Sequence, residues 1–135
     1  MPDPAERLQG IIDTYLRGWE LGDGALSLTA TATDFFYEDP NTGRIDREEF
    51  VAFVETFKAD AAALLGGELP SPFLEYRDVV VNIGDDDTAT VWCWWRARHT
   101  VLEGSALIRV ALEGVKRERI AYYSRLPEKD IGPCV

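Results

Sequence analysis

Two side chains in this chain could move a proton. Asp39 stands in "FFYEDPNTG" between an aromatic run and a proline, and Tyr15 stands in "DTYLRGWELGD". A carboxylate placed near carbon can remove a proton, and a phenol can donate to an oxygen as charge builds on it. Each has a structural alternative. Aspartate before proline is a favoured turn start that caps its own backbone, and a tyrosine at helical spacing beside Ile11, Ile12 and Trp19 is a core residue whose hydroxyl needs a partner. The single histidine, His99 in "RARHTV", is a general base or a solvated hairpin residue. One histidine cannot build a multi-histidine zinc or iron site, and no G-x-S-x-G turn supports a serine nucleophile. Cys93 and Cys134 lack C-x-x-C spacing, so both read as free thiols, Cys93 buried and inert. "GDDD" at 84–87 offers too few ligands for a calcium loop and reads as a charged hairpin.

The elements that must position these residues follow from periodicity. Leu8, Ile11, Ile12, Tyr15, Leu16 and Trp19 recur every three or four residues and predict an amphipathic helix from Pro4 to Leu21, stopped at "GDG". A short helical piece, Ala25 to Ala30, leads into the β-prone run Phe35 to Tyr37 and the turn "DPNTG". Asp46 and Glu49 predict a capping box for a helix reaching about Leu65. Strands are predicted at Phe73 to Ile83, Thr88 to Thr100, Ser105 to Leu112 and Arg117 to Ser124. Helices followed by a strand meander read as α+β, an antiparallel sheet with helices on one face. "VWCWWRAR" alternates Trp92 and Trp94 on one face with Trp95 on the other, which fits a core on one side and a homodimer interface on the other.

The totals bound the function. A chain of 135 residues supports one domain, residues 1–135, with 126–135 expected as a loose tail. The net charge of −10, from 24 acidic and 14 basic residues, repels nucleic acid and anionic membranes. Short apolar runs and a non-basic N-terminus predict a cytoplasmic protein.

The element order, with "YLRGWELGD", "FFYEDPNTG" and "DREEFVAFV", resembles the nuclear-transport-factor-2-like superfamily, in particular its SnoaL-like and ketosteroid-isomerase-like branches. The resemblance implies a cone-shaped, curved antiparallel sheet packed on three N-terminal helices, enclosing a pocket, and commonly a homodimer. In ketosteroid isomerases a helix tyrosine and an aspartate before proline stand 24 residues apart, as Tyr15 and Asp39 do here. The resemblance implies Asp39 as the proton-shuttling base and Tyr15 as the donor to an enolate oxygen, a mechanism for which ketosteroid isomerase is a reference case. It also gives Trp19, Trp95, His99 and Ile108 as pocket residues, Ile108 standing where that family carries a second, protonated aspartate. Tyr123 or Ser105 are candidates to replace that acid. An arginine followed two residues later by aspartate, the limonene-epoxide-hydrolase pattern, is absent from "WRARHT". The expected function is proton transfer on a hydrophobic carbonyl-bearing small molecule by an isomerase, cyclase or dehydratase, with no metal and no cofactor. The alternative is a non-catalytic ligand-binding or dimerisation module on the same fold.

Overall fold

The computed structural model describes residues 2–123; the expected tail at 126–135 and Cys134 lie outside the described residues. Helix α1 spans Pro4–Leu21 as the periodicity predicts. Asp3 caps it by accepting from the Glu6 amide at 2.8 Å, and Pro4 fits the first turn, where no amide partner is needed. Gly22 ends it in the left-handed region at φ 67°, and a Cβ there would meet the side chains of Lys58 and Phe73. α2 (Gly24–Thr29) packs tightly on α1: Ser27 Oγ donates to the Tyr15 carbonyl at 2.8 Å. Only glycine at position 18 permits this, since a Cβ there would lie 2.0 Å from Ser27 Oγ.

Strand β1 (Thr31–Asp39) starts earlier than the aromatic run suggests and turns at Pro40 into β2 (Gly43–Asp46). That hairpin corrects the expectation of an irregular turn leading straight into a helix. α3 (Arg47–Leu64) follows, without the expected capping box: Asp46 makes no side-chain cap because its carboxylate takes the Arg44 Nε at 2.7 Å. β3 (Leu74–Ile83), β4 (Ala89–Ala97), β5 (Glu103–Ala111) and β6 (Gly114–Tyr122) form the predicted antiparallel meander. The sheet order is β2-β1-β6-β5-β4-β3, and β1 pairs with β6 in parallel. The six-stranded sheet is therefore mixed at that one seam. It is curved and unclosed, an α+β cone packed against the helices.

The core lies between the concave face of the sheet and the helices. Phe50 of α3 is its hub, fully buried, with Tyr15, Trp19 and Phe35 rings at 6.1, 5.7 and 5.0 Å. The tryptophan alternation predicted for β4 holds: Trp95 is buried, whereas Trp92 faces outward and is 53% exposed. Trp94 stacks on Tyr123 at 4.5 Å. No described helix is long and apolar enough to cross a membrane. Replacing Phe50 with alanine empties the centre of this aromatic cluster, and the expected loss is about 3–5 kcal/mol in urea unfolding, with the slope of the transition unchanged.

Candidate active site

Among the described residues the carboxylate that lines the enclosed cavity on the concave face belongs to Glu118. Glu118 is the middle residue of β6, 1% exposed, with the Cα of Tyr37 beside it on β1 and that of Ile108 on β5. Tyr15 and Trp19, one helical turn apart on α1, both aim at it. The Tyr15 hydroxyl donates a short hydrogen bond to Oε1, and Trp19 Nε1 donates to the same atom at 3.1 Å. Among the described residues Oε2 receives no hydrogen bond, yet it is not a buried unpartnered atom. It is the oxygen left to the cavity that Glu118 lines.

That cavity is walled by Trp19, Tyr37, Phe57, Tyr76, Trp95 and Tyr122. Its room for water is about 20 Å³, enough for about one molecule. Gly104 helps shape it. Paired with both Trp95 and Tyr122, it presents no side chain and lets those two rings meet edge to face at 5.3 Å. Burial in this apolar box raises the Glu118 carboxyl from its ordinary 4.5 to about 7, against the opposing pull of the Tyr15 and Trp19 hydrogen bonds. The phenols of Tyr15, Tyr37 and Tyr76 are pushed well above their usual range by the same burial and by neighbouring carboxylates. All three remain protonated donors at neutral pH.

The structure brings together Tyr15, Trp19 and Trp95 of the sequence candidates. The other three do not line the cavity. Asp39 ends β1, where Oδ1 accepts from the amides of Asn41 and Thr42 at 2.7 and 2.6 Å and Oδ2 accepts from Tyr37 Oη at 2.7 Å. Its geometry is that of a turn residue, as aspartate before proline allows. It borders an outer groove, with no part in lining the cavity. His99 is exposed in the β4–β5 connection with φ 65°, a left-handed turn position. Ile108 is packed into the core at 1% exposure. Beside it on the adjacent strand, in register, stands Glu118. The two proposed substitutes face away: Ser105 lines the outer groove and Tyr123 stacks outside on Trp94. Glu38 points outward as its strand parity requires and pairs with Arg119.

Glu118 itself is hidden in the sequence by its neighbours. It sits in "VKRERIAYY", where Lys116, Arg117 and Arg119 read as a solvated face. The available signal is parity: Glu118, Ile120 and Tyr122 alternate together, which puts a carboxylate on the apolar side of the strand. Cys93 is buried, and burial holds its thiol at about 12, so it is unreactive as expected. Among the described residues no three histidine, cysteine or acidic side chains gather as a metal site.

No family model and no curated protein matches the chain in sequence. Solved structures do match it in fold. A candidate polyketide cyclase from Xanthomonas campestris superimposes with a TM-score of 0.58 at 18% identity, covering 89% of this chain and 93% of its own. A candidate ketosteroid isomerase from Kribbella flavida gives 0.55 at 15% identity, covering 96% and 90%. BvnE pinacolase from Penicillium brevicompactum gives 0.62 at 6% identity, covering 91% and 87%. The chain has the nuclear-transport-factor-2-like fold.

The raised Glu118 carboxyl fixes the sign of a stability effect. Between pH 4.5 and 7 the folded protein holds a proton that the unfolded chain releases, so stability falls as pH rises through that window. Ionising the buried group costs roughly 3 kcal/mol once complete, at ~1.4 kcal/mol for each factor of ten in the proton equilibrium. Glu118→Gln removes that cost. Its melting temperature relative to the unaltered protein is expected to be closest at pH 5, to pull ahead up to about pH 7 and to level off above it, read by calorimetry.

Proposed function

We propose that the protein is a small proton-transfer enzyme, of the isomerase, cyclase or dehydratase kind, acting on a hydrophobic carbonyl-bearing molecule with Glu118 as its acid and base. The observation that carries this reading is the Glu118 carboxylate: fully buried, held through one oxygen by Tyr15 and Trp19, with its other oxygen left to an aromatic-walled cavity. A carboxyl that titrates near neutrality can take a proton and return it within one turnover. The enzymes and candidate enzymes of like fold support the general class.

In the proposed chemistry Oε2 removes a proton from the carbon next to the carbonyl. The C–H electron pair becomes the enolate double bond, and the carbonyl π pair moves onto oxygen. Tyr15 is committed to Glu118, so it serves as a positioning donor and the oxygen-side role passes to Tyr76. The Tyr76 ring lines the cavity close enough to Glu118 to feel its charge, and its hydroxyl makes no hydrogen bond among the described residues. A donor already in place when charge reaches the enolate oxygen needs no reorganisation. Glu118 then returns the proton to the same or a conjugated carbon, with no net oxidation. Carboxylate and phenol together supply both halves of this transfer, and no cofactor is needed for it.

A substrate is larger than one water, so it enters by displacing a ring. Tyr122, half-buried where the cavity meets the outer groove, is the wall with room to move. The small free volume favours one second reading, a module that traps a ligand without turning it over.

Hydrogen–deuterium exchange separates the two. In D₂O the protein is expected to exchange the protons α to the carbonyl of 4-phenylbutan-2-one, followed by proton NMR. The rate should rise with pH about an inflection near the Glu118 value of about 7. Glu118→Gln should slow it by roughly 10²- to 10⁴-fold. Binding of the ketone with exchange no faster than in buffer would establish the trapping module instead. Tyr15→Phe removes a hydrogen bond that stabilises the carboxylate, so the inflection should move to higher pH, while loss of rate with no such movement would contradict a positioning role.

A further inference from the structure

A polar cluster stands where the outer groove meets the cavity wall, and proton transfer at Glu118 does not use it. Tyr37 starts beside Glu118, its Cα partner across the β1–β6 seam, yet its hydroxyl reaches Asp39 two residues further along the strand. The ring is part of the cavity wall. Asp39 is a fully engaged acceptor: two backbone amides hold Oδ1 and the Tyr37 hydroxyl holds Oδ2. Tyr37 gives its single hydroxyl proton to Asp39 Oδ2 and keeps lone pairs alone for anything else.

Tyr122 completes the arrangement. It lies four residues beyond Glu118 on β6, roughly 13 Å along the strand at 3.3 Å per residue. Its ring borders both the cavity and the outer groove that Asp39 lines, so it stands at the mouth. Its ring shares the cavity lining with Tyr37, and among the described residues its hydroxyl makes no hydrogen bond. Tyr122 has a proton to give, and Tyr37 beside it has only a lone pair. A hydroxyl group, donor and acceptor at once, matches that pair. An ether has no proton for Tyr37, and an anionic group meets the charge of Asp39.

We infer that Asp39, Tyr37 and Tyr122 form a hydroxyl-recognition pole at the cavity mouth, opposite Glu118, and that the substrate is an elongated hydroxy ketone with its hydroxyl at the end remote from the carbonyl. Asp39 is a positioning residue in this arrangement, acting through Tyr37. The inference rests on the proton-transfer role of Glu118 and names the class of molecule that role is applied to.

The test compares 4-(4-hydroxyphenyl)butan-2-one with 4-(4-methoxyphenyl)butan-2-one in the same deuterium-exchange assay. In both the ring oxygen is insulated from the carbonyl by two methylenes, so α-proton acidity is matched. The hydroxy ketone should show a KM about tenfold lower, the worth of one neutral hydrogen bond. In Tyr122→Phe, and in Asp39→Asn, the ratio of the two KM values should fall from about ten to about one. Equal KM values in the unaltered protein would overturn the hydroxyl pole while leaving proton transfer at Glu118 standing. A ratio that survives in Tyr122→Phe would overturn it as a mere steric preference for the smaller group. If Asp39→Asn raises both KM values and keeps their ratio, Asp39 is structural and the positioning role falls. Should Asp39→Asn fail to fold, Tyr122→Phe still decides the pole. Absence of exchange with either ketone would overturn the role of Glu118, and this inference with it.

Discussion

A carboxyl in the middle of an aromatic core, taken out of water without a cation to meet it, is the constraint around which this protein is arranged. Among the described residues no ion pair reaches Glu118, and both groups that bond it, a phenol and an indole, are neutral. Neutral donors offset desolvation only in part, which is why the carboxyl settles near neutrality rather than in the acid range. An arginine at the same place would hold the group ionised. The surplus of acidic residues over the whole chain acts in the same direction, by making one more negative charge harder to form.

The rest of the core serves to keep those two donors on target. Tyr15 is braced by Phe35 and Phe50 and tied through its carbonyl to Ser27; Trp19 is boxed by Tyr37, Phe50, Phe53 and Phe57. These contacts are apolar, so the rings that fix the geometry are also the walls that exclude water. Rigidity of the donors and perturbation of the carboxyl thus have one physical source. Stability is given up at this point and recovered through the burial of large aromatics around it, a division common at functional sites.

Local structure is legible in the sequence to the extent that it is periodic. α1 is capped, patterned and stopped by residues with well-understood preferences, and its limits follow from them. The meander, too, is marked by turns and alternation. What periodicity misses is what depends on distant partners. β2 is four residues long and mostly exposed, so it has no hydrophobic pattern, and it exists because β1 offers an edge. The parallel seam between β1 and β6 has no local signature at all. The site is half legible for the same reason. Tyr15, Trp19 and Trp95 stand out by type and position, whereas Asp39 draws notice for a spacing and proves to anchor a turn. Glu118 is masked because Lys116, Arg117 and Arg119 make its segment look solvated, although only its strand parity decides which way it points.

That parallel seam also sets the order of assembly. β1 is near the beginning of the sequence and β6 near the end of its described part, and the Tyr15–Glu118 bond joins residues 103 positions apart. Loop closure over such a span must be complete before the contact returns any energy, so these links form late. Until β6 arrives, β1 presents an unfilled edge on its inner side, and the aromatic interior stays open to solvent. A ribosome-bound chain is thus adhesive until β6 emerges, and the element that joins β1 to the meander is also the one that carries the buried carboxyl. Covering of the sticky edge and burial of the Glu118 carboxyl become a single event.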